Sequence, residues 1–324
     1  MLKVLMTIDT EVHPARPHWR DDGLREEIDQ YLYGRTPQGD FGLDYQLATL
    51  SRHGLRAVFF VEALAASEMG IPFLAGVVGK IRSAGQEVQL QLHTEWLDYL
   101  SRPLLNGRTG LHIREFPEDD QTRLIEEGLA NLRKSGLDEV SAFRAGNYGA
   151  DARTLRALAR NGLRFDSSWN APYIGSACGI EAGGLLLGPR QLEGVWEVPI
   201  GFFQDYPGHY RHAQLAACSF EELRSALEEA HRRSWSTFVI VFHSFEFVWR
   251  GVNQGRPASP RRLVIRRFER LCQFLAGNRD RFQTAGFPDL TETDLRHPAQ
   301  TRPLGSSLVR TAHRYAEQLA GRFV

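Results

Sequence analysis

Leu2-Lys3-Val4-Leu5-Met6-Thr7-Ile8-Asp9-Thr10-Glu11 is a short, apolar, β-capable run that stops at two carboxylates. A run of this length and composition, bounded by acidic residues, reads as a buried strand. It puts Asp9 and Glu11 at the strand's C-terminal end. The same pattern recurs along the chain. Leu55–Val61 is a second strand, and Glu87–Leu92 alternates before meeting His93-Thr94-Glu95-Trp96. Val140–Phe143 runs into Arg144-Ala145-Gly146-Asn147-Tyr148-Gly149, and Thr237–Phe242 runs into His243-Ser244-Phe245-Glu246. Leu163–Ser167 and Gly194–Ile200 bring the strands to about seven.

Helical spacing fills most of the gaps. Leu43–His53, Phe73–Ser83, Gln121–Lys134, Ala152–Arg160 and Phe220–Arg233 carry it, several of them closed by glycine. Strands alternating with helices imply an α/β fold with a mostly parallel sheet and right-handed crossovers. Chemistry in such sheets sits beyond the C-terminal strand ends. His13–Asp40 is polar and rich in Pro and Arg, a long loop beside Asp9 that is expected to wall the cleft. Two regions are expected: a barrel over residues 1–288, and a tail over 289–324 in which Ser306–Phe323 is an amphipathic helix.

The bulk numbers fit a globular protein. The chain has 324 residues, 42% hydrophobic and 24% charged, enough for one large core. Thirty-nine Lys and Arg balance 39 Asp and Glu, which argues against a nucleic-acid partner held by a global positive field. Cys178, Cys218 and Cys272 are too far apart for a CxxC metal pattern and odd in number, so they read as reduced structural thiols. The start carries no secretory signal pattern, and no stretch has the length of a transmembrane segment, so the expected location is cytoplasmic. In the tail, Val309, Ala312, Ala316 and Leu319 recur at helical spacing near Arg310, Arg314 and Arg322. Packing on the barrel or in a homo-oligomer is expected ahead of a membrane anchor.

Parallel strands bring distant ends together. The ends named above hold two carboxylates, a His/Glu pair, an Arg and a second His, the inventory of metal-assisted hydrolysis. Each residue also has a plainer reading. Asp9 could cap a turn, His93 could be a rim histidine, Glu95 and Arg144 could be structural ion pairs, and Trp96 and Trp196 could be packing. Their joint placement at strand ends favours chemistry.

Five segments, in order, resemble the polysaccharide deacetylases of the NodB-homology group, carbohydrate esterase family 4. Thr7-Ile8-Asp9-Thr10-Glu11 is similar to the first motif, and Gly85–Trp96 to the second, which supplies metal ligands. Phe143–Gly149 is similar to the third. Val195–Pro199 falls where the fourth lies, whose usual aspartate is absent unless Glu197 substitutes, and Val241–Ser244 resembles the last. The resemblance implies a distorted (β/α)7 barrel. It implies a divalent metal, zinc first, held by Glu11 and His93 with Glu95 as a further ligand. Gln91 stands where the second motif usually has a histidine, and His93, two residues away on the same strand face, could serve instead.

The implied reaction is removal of an N-acetyl group from a carbohydrate. Asp9 is the base, Arg144 orients it, His243 is the general acid, and the backbone N–H near Tyr148 lines an oxyanion hole. Asn147, Tyr148, Trp96 and Trp196 are expected to meet substrate, with Phe202 and Phe203 as further stacking surfaces. Two alternatives stay open: a degraded glycan-binding or scaffold protein, and an amidohydrolase for a small non-sugar amide.

Overall fold

Strand β1 (Leu2–Thr10) is the longest strand of the main sheet among the described residues and has partners on both sides. The computed structural model describes residues 1–12, 28–249, 257–296 and 300–320. The other strands are β2 (Val58–Glu62), β3 (Glu87–Leu92), β4 (Ala142–Ala145), β5 (Phe165–Asp166), β6 (Arg190–Leu192), β7 (Val195–Glu197), β8 (Phe202–Tyr206), β9 (His209–His212), β10 (Thr237–His243) and β11 (Phe282–Thr284). The main sheet runs β10-β1-β2-β3-β4-β5-β7-β6, parallel except for the antiparallel β6. One side of β1 pairs with β10 from Lys3↔Thr237 to Asp9↔His243. Its other side pairs first with β11 (Leu2–Val4) and then with β2 (Thr7–Thr10). The sheet curls, and single bridges Ile200↔Val239 and Gln214↔Val241 tie the far side back to β10. The result is a distorted, loosely closed α/β barrel.

Helices α1 (Leu43–Arg52), α2 (Ile71–Ser83), α3 (Glu118–Lys134), α4 (Ala152–Arg160), α5 (Phe220–Arg232), α6 (Arg262–Ala276) and α7 (Leu308–Ala320) are the longer ones. Two begin on capping boxes: Asp151 accepts from Thr154 N at 3.1 Å, and Ser219 from Glu222 N at 3.2 Å.

Strand alternation sorts the core. Val4, Met6 and Ile8 pack under the helices, whereas Leu5, Val58, Phe60, Val239 and Val241 fill the barrel interior. Thr7 and Asp9 share the parity of Leu5, so the inward row of β1 turns from apolar to polar as it nears its C-terminal end. The same parity sets Gln91 and His93 on one face of β3 and its extension.

The expected α/β barrel is thus present. Strand ends moved by one to three residues, and α6 and β11 lie in sequence to which no element had been assigned. Residues 13–27 of the expected long loop lie outside the described residues. Its remainder forms a short turn of helix at Ile28–Leu32 and a hairpin pairing Arg35–Thr36 with Gly39–Asp40. The three cysteines are buried and unbridged. Among the described residues no helix is long and apolar enough to cross a membrane.

Candidate active site

At the C-terminal ends of β1, β3, β4 and β10 a cleft of about 400 Å³ is lined by Asp9, Glu11, Gln91, His93, Glu95, Asn147, Tyr148 and His243. Arg144 lies beneath it, fully buried. A larger hollow of about 710 Å³ opens at the opposite, N-terminal ends of β3–β5 and holds none of these groups.

Asp9 is fixed from below. Arg144 Nη1 donates to Asp9 Oδ1 at 2.6 Å and to Thr7 Oγ1 at 2.9 Å. Its Nε donates to the Ser167 carbonyl at 3.0 Å, and its guanidinium stacks on Phe60 at 4.2 Å. A buried guanidinium with every side engaged is a rigid support. Burial pushes the Asp9 carboxyl above its ordinary value, opposed by the charges of Arg144 and His243. Asp9 is thereby a stronger base than a solvated aspartate.

His243 faces Asp9 across the cleft floor, with Nε2 3.7 Å from Asp9 Oδ2. That separation is too long for a hydrogen bond. The other ring nitrogen, Nδ1, lies 2.8 Å from Glu246 Oε1, to which Gln214 also donates. Burial disfavours the charged imidazole, but the Glu246 carboxylate outweighs it and the His243 pKa rises to about 9. Nε2 therefore carries a proton toward the cleft at neutral pH.

A second histidine is held in the same way. Glu62 Oε2 lies 2.9 Å from His93 Nδ1 and also accepts from the His93 backbone N–H at 2.5 Å. His93 Nε2 then points at Glu11 Oε2, 3.1 Å away. The Gln91 amide donates to the same Glu11 oxygen at 2.9 Å. Burial opposes charge on His93, but Glu11 and Glu62 prevail and raise its pKa to about 10. With Nδ1–H committed to Glu62, the contact between Nε2 and Glu11 calls for a positive charge between them, a proton or a metal ion.

The donor set tests the expected metal. Glu11 and His93 converge, and a carboxylate behind a ligating imidazole is the usual outer support of a metal-bound histidine. Gln91 Oε1 is buried without a hydrogen-bond partner. Glu95 gives one oxygen to Asn147 Nδ2 at 2.6 Å, and its buried Oε2 has no hydrogen-bond partner. Among the described residues no three His, Cys, Asp or Glu gather as a complete cage does. These residues fit an open divalent site with two strong protein ligands and weak further donors.

Gly146 makes room for this arrangement. A Cβ there would stand 2.4 Å from His93 Cδ2 and 2.8 Å from the Leu92 carbonyl. Asn147 and Tyr148 follow at φ +53° and +59°, a left-handed pair that bulky residues adopt at a cost, as at strained functional turns.

Four aromatic expectations are corrected. Trp96 is 0% exposed, packed edge-on to Tyr99, and offers no face to a sugar. Trp196 turns into the barrel interior with Phe165 and Phe287, and Arg296 covers it. Phe202 and Phe203 are core residues. Glu197 does not replace a site aspartate. It is fully buried on the opposite face of β7 from Trp196, accepts from Trp169 N at 3.0 Å, and is pushed well above the carboxylate range by burial and by Asp166.

Glu62 and Glu246 had no assigned role. The expected second strand stopped at Val61, one residue short of a carboxylate that ends its strand as Asp9 nearly ends β1. Glu246 lies three residues after His243 on the same turn. The cleft wall also includes His112, whose Nδ1 is 2.9 Å from Glu115 Oε1, and Tyr173, which stacks near Tyr148.

No protein-family profile and no curated protein matches the chain. Among solved structures, a protein of Mycobacterium smegmatis provisionally named a polysaccharide deacetylase is similar at a TM-score of 0.57 and 15% identity, over 93% of this chain and 94% of that one. A family 4 carbohydrate esterase from Streptomyces lividans matches more loosely, at a TM-score of 0.45 and 13% identity over 93% and 97% of the two chains. So does a family 4 pseudoenzyme from Bacillus anthracis, at 0.35 and 12% over 75% and 54%. At such identities the likeness is one of architecture: the chain is built on the distorted barrel of that polysaccharide-deacetylase-type structure.

Proposed function

We propose that this chain is a hydrolase that removes an N-acetyl group from a carbohydrate. The observation that carries the reading is the opposition of Asp9 and His243 across the cleft floor, each braced from behind, by Arg144 and by Glu246. A base and an acid so placed serve one acyl carbon. Asp9 takes a proton from water as its oxygen bonds to the carbonyl carbon. His243 Nε2 protonates the nitrogen as the C–N bond breaks, because an amide nitrogen leaves poorly as an anion. The products are acetate and an amine. The backbone N–H near Tyr148 is proposed to receive the oxyanion.

Glu11 and His93 would hold a divalent ion, zinc first, with Glu62 orienting the imidazole and Glu95 or Gln91 adding a weaker donor. Bound there, such an ion supplies Lewis acidity to the carbonyl and acidity to water. Asn147 and Tyr148 are proposed to contact the sugar. The segment before Asp40 is proposed to wall the cleft: Ser244 Oγ donates to the Tyr31 carbonyl at 2.8 Å, and Tyr31 packs on Phe245 at 5.4 Å.

Gln91 favours a second reading, a glycan-binding protein whose catalysis has decayed. One experiment separates the two: metal analysis of the purified protein with acetate release measured on a panel of N-acetylated glycans. Hydrolysis that is lost in His93→Ala and in His243→Ala supports the enzyme. Protein without metal or activity that gains both from Gln91→His supports the decayed binder.

A further inference from the structure

At the cleft, His93, His243 and His112 each have a carboxylate on Nδ1: Glu62, Glu246 and Glu115. The proposed chemistry uses Nε2 of the first two. His112 belongs to neither the acid–base pair nor the ligand set, yet it is held as closely. It stands on the segment between β3 and α3, which Ile113 and Phe116, 2 and 1% exposed, anchor in the core. Glu115 spans the turn: Oε1 lies 2.9 Å from His112 Nδ1, and Oε2 accepts from Leu111 N at 3.0 Å. Arg114 N donates to the Gly149 carbonyl at 3.0 Å, which ties the turn to the segment that begins at Arg144. The imidazole then rests on Gly149, where an added Cβ would stand 2.4 Å from its Cδ2, as Gly146 makes room for His93.

One polar atom of the ring, Nε2, is left without a hydrogen-bond partner among the described residues. The side chain keeps 14% of its surface exposed and lines the same cleft as Asp9, Glu11 and His243. A hydrogen-bonding atom fixed in a cleft wall is preorganised to meet a ligand. Its chemistry narrows that ligand. With Nδ1–H given to Glu115, a neutral ring carries its lone pair on Nε2, and a protonated ring carries N–H there. A hydroxyl donates and accepts, so it satisfies Nε2 in either state. A ring of bare hydrocarbon bearing the same amide offers nothing to it. We propose that His112 is a specificity-determining residue, whose Nε2 hydrogen-bonds a hydroxyl of the sugar that carries the N-acetyl group and so selects it over a hydroxyl-free amide. This inference rests on the carbohydrate reading given above.

The test uses the full chain and measures acetate release and, by calorimetry, binding. The probes are triacetylchitotriose, N-acetylgalactosamine and N-cyclohexylacetamide, whose six-membered ring has no hydroxyls. His112→Phe keeps a planar ring on Gly149 and leaves Glu115, 44% exposed, in water. It should weaken sugar binding roughly tenfold or more and raise KM for the sugar with little change in kcat. Values for N-cyclohexylacetamide should stay within about twofold. His112→Gln, whose amide replaces the hydrogen-bonding atom, should restore part of the sugar affinity, and melting temperature and zinc content should not move in either variant. An equal loss on sugar and hydrocarbon probes, or full sugar affinity in His112→Phe, overturns the inference while wild-type acetate release sustains the hydrolase reading. Sugar binding that depends on His112 without acetate release upholds the inference and overturns the hydrolase reading. Wild type that neither binds nor hydrolyses either sugar overturns both.

Discussion

Replacing Glu246 with Gln should move the alkaline limit of the reaction downward. Glu246 is what holds a proton on buried His243, whose pKa stands at about 9. The raised value means that the charged acid is complete well below 9 and is lost as pH climbs through it. In Glu246→Gln the amide no longer compensates burial, so the imidazole falls to its ordinary ~6.5 or lower. At pH ~8 the protonated fraction drops from ~90% to ~3%, and kcat/KM should fall ~30-fold. At pH ~6 the same change costs less than ~2-fold, because most of the imidazole is still charged. The assay is the pH profile of acetate release for both proteins, with thermal melts at each pH to confirm folding. A loss equal at both pH values, or an unmoved alkaline limb, would refute the assignment of His243 as the acid and of Glu246 as its support.

Asp9→Ala should abolish hydrolysis and also destabilise the fold by ~3–5 kcal/mol, because Arg144 is left buried without its counter-charge; urea unfolding measures this, and a cost under ~1 kcal/mol would mean that the guanidinium finds other compensation. Glu62→Gln should loosen His93 and lower zinc affinity ~10–100-fold in a chelator competition, whereas unchanged affinity would remove His93 from the ligand set. Gly146→Ala should cost ~1–3 kcal/mol and displace His93, since the added methyl overlaps the imidazole. A variant of wild-type stability with wild-type metal binding would contradict that packing.

The parts of the site that were legible in the sequence are those whose signal is local. Asp9, His93, Arg144 and His243 each end or follow an apolar strand, and parallel topology alone brings such ends together. Which of these strand ends brace one another left no such mark. Nothing near Glu62 in sequence announces that it braces His93, since the two sit on neighbouring strands 31 residues apart. The aromatic residues failed for a different reason. Trp96 looked available because it follows His93 and Glu95, but the chain turns there into a short 3-10 helix and the ring swings into the core. Trp196 follows strand parity, which turns it inward among Phe165 and Phe287. The tail shows the limit of periodicity: spacing located α7 but could not tell which side docks, because buried ion pairs of Arg314 with Asp205 and Glu222 reversed the usual preference.

The placement of β1 has a consequence for how the protein is made. Its early partner, β2, covers only Thr7–Thr10 on one side, while β10 and β11 are synthesised more than two hundred residues later. At ribosomal speeds that delay is on the order of tens of seconds. During it, a nearly uninterrupted row of aliphatic residues has one whole edge open, the kind of template on which nascent chains stick to one another. A holding chaperone is therefore expected on β1 until the segment ending in His243 emerges. Asp9 and His243, aligned in register, meet only then, so the proposed acid–base pair forms among the last long-range contacts of the barrel rather than the first.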